Sequence, residues 1–91
     1  MPYRLQKFKK SLYRRAFIGC KNLKDINLPE SLEKIDRDAF NGCTSLEVIR
    51  IPKNVEYIGE SAFSGCTDLK KISLPESLKK IKEMTFSGCE N

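Results

Sequence analysis

The sequence predicts an α/β repeat solenoid: short units stacked into an array, with a parallel β-sheet on one face and short strand or 3₁₀ turns on the other. Two observations predict it. Cysteines stand at Cys20, Cys43, Cys66 and Cys89, each 23 residues after the last. Apolar positions keep the same interval, as in Phe17, Phe40, Phe63 and Phe86, then Leu23, Leu46 and Leu69, then Ile26, Ile49 and Ile72. A fixed period of about 20–50 residues with apolar positions in phase marks a stacked-repeat architecture. A unit this short cannot bury its own apolar face, so units must lie on one another and share a core.

Counted this way, residues 1–91 form one solenoid domain. A divergent basic first unit covers 1–28, full repeats cover 29–51 and 52–74, and a truncated unit covers 75–91. Within a repeat, Ile49 and Ile51 fall on one side of a period-two pattern, which is a strand with one buried face. Pro52 follows at once and, lacking an N–H, ends the strand. Val55 and Ile58 then suit a short extended or turn-like segment on the opposite wall. Residues 59–63 have room for a single helical or 3₁₀ turn. Gly65 supplies the positive φ that closes it. Stacking places equivalent residues about 4.8 Å apart, so the phenylalanines form a column. Ala16, Ala39 and Ala62 are small where the turn packs close; Thr85 interrupts that series.

Composition excludes several classes. With 40% hydrophobic and 32% charged residues the chain is globular rather than disordered. No apolar run reaches the roughly 18 residues of a membrane span. No apolar segment follows the basic N-terminus as in a secretory signal. The absence of histidine removes Ser-His and Cys-His nucleophile pairs and the commonest zinc ligand. Every glycine of the Phe-x-Gly-Cys units belongs to the repeat, and no phosphate-binding loop is present. Asp36, Asp38, Glu56 and Glu60 fall on surface positions of the turn side. The expectation is a protein without catalytic residues, metal or cofactor.

The cysteines admit three readings. Zinc needs four sulfurs converging, usually from close pairs, whereas a column spreads them in a line. A spacing of about 4.8 Å lies inside the Cα window of a disulfide, about 4.4–6.8 Å, but stacked side chains point the same way. The favoured reading is a buried column of small apolar thiols.

The unit Leu28-Pro29-Glu30-Ser31-Leu32 through Ala39-Phe40-Asn41-Gly42-Cys43 to Leu46, Ile49 and Ile51 resembles the BspA-like class of leucine-rich repeat. The Ala-Phe-x-Gly-Cys signature begins at Ala16, Ala39 and Ala62, and Thr85-Phe86-Ser87-Gly88-Cys89 departs only in its first position. The resemblance implies a right-handed leucine-rich repeat solenoid that serves in protein interaction or adhesion, with a host or matrix protein as ligand. It implies a cell-surface or secreted location if the chain is a segment of a typical family member. A complete chain without a signal would be cytoplasmic.

Two surfaces compete as the binding site. Residues beside the buried Ile positions project outward from the concave sheet face in columns. Arg4, Asn27, Arg50 and Ser73 form one, and Val48 and Lys71 belong to the column beside it. Arg50 and Val48 stand at the middle rung, where a partner is most fully desolvated. The alternative is a polyanion, such as a heparin-like glycan or nucleic acid, held by Lys7, Lys9, Lys10, Arg14 and Arg15. The first 23 residues hold seven basic and no acidic residues, while the rest hold ten basic and twelve acidic. A third reading is a structural segment of a longer array. Open ends would then favour self-association, because they present unpaired strand edges.

Overall fold

A computed structural model describes residues 10–81 and 85–89. Six short strands follow in order: β1 (Ser11–Leu12), β2 (Lys34–Ile35), β3 (Val48–Arg50), β4 (Tyr57–Ile58), β5 (Lys71–Ser73) and β6 (Lys80–Ile81). They form two parallel sheets, β1-β2-β4-β6 and β3-β5. Every pairing joins residues 23 apart, as in Leu12 with Ile35, Ile35 with Ile58, and Ile49 with Ile72. The sequence period is therefore the rung of the stack.

The two sheets are opposite walls of one core. On β3 the alternation is plain: Ile49 points in and is buried, while Val48 and Arg50 point out and are exposed. Leu32, Ile35, Leu46, Val55 and Ile58 fill the space between the walls with no exposed surface. The wall expected to hold short strand or turn segments carries the four-stranded sheet. The face expected to carry the main sheet has two registered strands among the described residues. Its earlier segment, residues 24–27, is attached to the next rung by the Glu47 N–H donating to the Lys24 carbonyl at 2.9 Å.

The turn side departs from the expected helical or 3₁₀ turn. Alternate N–H groups make local bonds, as in Ala39 to the Asp36 carbonyl and Asn41 to the Asp38 carbonyl. The intervening ones cross to the next rung: Asp38 to Glu60 at 3.1 Å, Phe40 to Ala62 at 2.8 Å and Gly42 to Ser64 at 2.8 Å. A helix would spend all of these within its own segment. This pattern needs positive φ twice per rung. Gly42 supplies one at 81°, and Asp38, a residue with a side chain, the other at 59°.

The phenylalanine column runs through the core beneath these turns. Phe17, Phe40, Phe63 and Phe86 stack with centroids 5.3, 5.2 and 5.6 Å apart and planes within 11° of parallel. Ala39 and Ala62 are fully buried. Thr85 keeps its place in that series because its hydroxyl donates to the Gly59 carbonyl at 3.3 Å.

Candidate functional site

The repeat register builds the outward columns of the β3–β5 face. Val48 lies beside Lys71, and Arg50 beside Ser73. All four are exposed, as is Asn27 on the preceding rung. Val48 is apolar at 42% exposure, in a strand whose next residue is sealed in the core. Its presence outside is a property of the face and not of the packing. Asn27 and Arg50 come together with Ile26, Leu28, Glu30 and Pro52 around a cavity of about 230 Å³. Five of the six predicted residues of this face thus stand on one surface, while Arg4 lies outside the described residues.

Glu30 and Pro52 were not expected to line the binding face; Pro52 was read only as the end of the strand. Both follow the strand, and the register alone does not show that they close one side of a cavity. The cavity is mixed in character. A guanidinium, an amide and a carboxylate surround apolar walls, so it suits a ligand with both charge and hydrogen-bonding groups.

Of the alternative basic cluster, Lys10, Arg14 and Arg15 are exposed, and Lys7 and Lys9 lie outside the described residues. Arg15 has φ of 61°, and its N–H donates to the Arg37 carbonyl at 3.0 Å. Its backbone is therefore part of the turn-side ladder. On the opposite wall the Lys34 ammonium sits 5.3 Å from the centroid of the Tyr57 ring, a cation–π contact. Tyr57 is half-buried there, so its ring supports a neighbouring rung.

The cysteines are free thiols, and three are seen to donate across rungs. Cys43 Sγ lies 3.1 Å from the Phe17 carbonyl, Cys66 Sγ 3.3 Å from that of Phe40, and Cys89 Sγ 3.0 Å from that of Phe63. Burial pushes the Cys43 thiol up to about 11 and the Cys66 thiol up to about 12, with neighbouring thiols adding to the effect on Cys66. Cys89 is also raised by burial. Such thiols stay protonated and unreactive near neutral pH. They serve as hydrogen-bond donors that tie each rung to the one before.

The architecture is that of a two-walled parallel solenoid whose strand positions alternate between core and solvent. Residues 4–91 match the model of the BspA type leucine-rich repeat region, in six copies, and the chain belongs to that family. No curated protein matches the chain. Among solved structures, it is similar to a leucine-rich repeat protein from Bacteroides ovatus, at 42% identity and a TM-score of 0.85. That match covers 87% of this chain and 21% of the other. It is also similar to a leucine-rich repeat protein of T. pallidum at 30% identity and a TM-score of 0.58, covering 88% of this chain and 48% of that one. The chain thus spans about a fifth and about half of these relatives. No helix among the described residues is long and apolar enough to cross a membrane.

Proposed function

We propose that this chain is a protein-binding module, of the kind used in adhesion, that engages its ligand through the concave β3–β5 face and carries out no catalysis. One observation carries the reading: Val48, Arg50, Lys71 and Ser73 project from paired strands in fixed register, with Asn27 and Arg50 meeting at a cavity. Leucine-rich repeat proteins commonly serve as protein-binding modules, and the extended sheet face of a solenoid is where repeat proteins bind. Arg50 is the charged anchor, able to hold a carboxylate through two parallel bonds. Val48 supplies apolar contact beside it. Asn27, Lys71 and Ser73 complete the surface.

The test is binding of the chain to immobilised matrix proteins, heparin and nucleic acid, at low and physiological salt. Arg50→Glu and a Lys9→Glu/Lys10→Glu double variant are run beside it. Salt-tolerant binding to a protein, lost in Arg50→Glu, is the expected result. Binding to heparin or nucleic acid that falls steeply with salt, and is lost only in the lysine variant, would instead assign function to the basic end. Binding to none of them would leave a structural segment as the role.

A further inference from the structure

Between residues 24–28 and the following rung the sheet is held at one point. The Glu47 N–H donates to the Lys24 carbonyl at 2.9 Å, and no further backbone bond joins 24–28 to 47–51 among the described residues. One rung on, the same stretch is zipped. Val48, Ile49 and Arg50 pair with Lys71, Ile72 and Ser73, and the Ile51 N–H donates to the Ser73 carbonyl at 3.0 Å. The two segments therefore part beyond Glu47, and the gap between them is the cavity of about 230 Å³ lined by Ile26, Asn27, Leu28, Glu30, Arg50 and Pro52.

The lining is sorted by polarity. Leu28 and Pro52 are buried and Ile26 is half-buried, which makes an apolar floor, while Asn27, Glu30 and Arg50 are exposed around it. Arg50 and Glu30 carry opposite charges, yet neither is in an ion pair among the described residues. The cleft also receives backbone groups. The Glu47 carbonyl accepts from the Lys71 N–H and the Ile51 N–H donates to Ser73, so residues 47 and 51 turn toward β5. Alternate residues of a strand bond to opposite sides. The N–H and carbonyl of Arg50 are thereby turned toward residues 26–28, where no backbone partner meets them among the described residues.

We infer that this cleft is a binding site for a small α-amino-acid zwitterion. Its carboxylate lies at Arg50, its ammonium at Glu30, and its apolar side chain on Ile26, Leu28 and Pro52. Size sets the first limit. The volume falls below the roughly 300–1,000 Å³ of pockets for drug-sized ligands, and suits one amino-acid unit. Charge sets the second. A lone carboxylate would gain Arg50 but face Glu30, and a lone amine would meet the reverse; such like-charge contacts are costly. A zwitterion satisfies both groups at once. The guanidinium can hold a carboxylate through two parallel bonds, and the Arg50 N–H and carbonyl add a donor and an acceptor. The site does not depend on protein binding by the β3–β5 face.

The test is titration of the 91-residue chain with leucine, N-acetylleucine and leucinamide, followed by heteronuclear NMR of the backbone amides. Leucine is expected to give saturable shifts centred on Asn27 and Arg50. N-acetylleucine lacks the ammonium and leucinamide lacks the carboxylate. Each should bind at least about ten-fold more weakly, as loss of a charge-assisted hydrogen bond implies. Arg50→Gln and Glu30→Gln should each weaken leucine binding by a similar factor. Glu76→Gln, the same change at the counterpart of Glu30 two units on, should leave it unaltered. All three positions are exposed, and the dispersion of the amide spectrum reports whether each variant is folded. Should a variant unfold, the ranking of the three ligands on the unaltered chain decides. No saturable shift with leucine, shifts away from the cleft, equal binding of the three ligands, or full binding in both cleft variants would overturn the inference. A protein ligand that still bound while leucine did not would remove this site and leave the proposed protein-binding face standing.

Discussion

The rings of Phe40 and Phe63 lie 5.2 Å apart and only 5° from parallel. Stacking of this kind follows from placing the same residue in the same rotamer on successive rungs. Phe40 also has Phe17 on its other side at 5.3 Å, so each ring covers the next. In a solenoid, stability is nearly a sum of units and nearest-neighbour contacts. Phe40→Ala removes two such contacts and opens a cavity, at a cost of about 3–5 kcal/mol. Phe86→Ala, in a half-buried residue with one described ring neighbour, is expected to cost less. Urea unfolding followed by circular dichroism would rank them. Equal costs would contradict nearest-neighbour coupling through the rings.

Much of this was legible because a fixed period converts sequence positions directly into columns. Ile49 inside with Val48 and Arg50 outside was readable from alternation, and the 23-residue register from the spacing of Ile49 and Ile72. The turn side was harder to read. Positive φ at Arg15, Asp38 and Ser61 falls on three different residue types, none of them glycine, and is imposed by the bonds that cross to the next rung. Gly42 and Gly65 announced only half of that geometry. The cavity between Asn27, Arg50 and Glu30 was likewise hidden, because it depends on how unlike side chains spread between rungs.

Gly59 is held to glycine by its neighbours and not by its own φ. It replaces Asp36 of the previous unit, its N–H donates to the Ile35 carbonyl at 2.7 Å, and it is buried. A Cβ there would meet the Arg37 nitrogen at 2.5 Å and the Asp36 carbonyl carbon at 2.8 Å. These are backbone atoms and cannot rotate away. Gly59→Ala should therefore destabilise the chain by about 1–3 kcal/mol, as overpacking does, and lower the thermal midpoint. An unchanged midpoint would mean that rungs two and three separate freely at this point.

Ser61 offers the opposite change. Its φ of 58° places a residue with a Cβ in the left-handed region, which costs about 1–2 kcal/mol. Glycine removes that penalty but loses about 0.4–1 kcal/mol through the freer unfolded chain. The balance favours Ser61→Gly by up to about 1.6 kcal/mol, read as a higher urea midpoint at unchanged slope. A lower midpoint would show that the serine side chain stabilises this turn by more than its strain costs.

The buried thiols make stability depend on pH at the alkaline end. Cys43 and Cys66 are raised by burial from 9.0 to about 11 and about 12. In the unfolded chain they ionise at the lower value. A group raised on folding contributes its full stability below the unfolded pKa and loses it as pH climbs through the folded one. The loss therefore begins near pH 9 and continues to about 11–12. Each thiol contributes a slope of about 1.4 kcal/mol per pH unit within its window. The informative quantity is a difference between variants. Cys66→Ala lowers stability near neutral pH by removing the Sγ bond to the Phe40 carbonyl, but it should flatten the decline above pH 9 relative to the unaltered chain. Urea midpoints collected from about pH 8 to pH 10 would measure both slopes. Parallel slopes would mean that the Cys66 thiolate is tolerated in the fold, and that the thiol column does not depend on its protons.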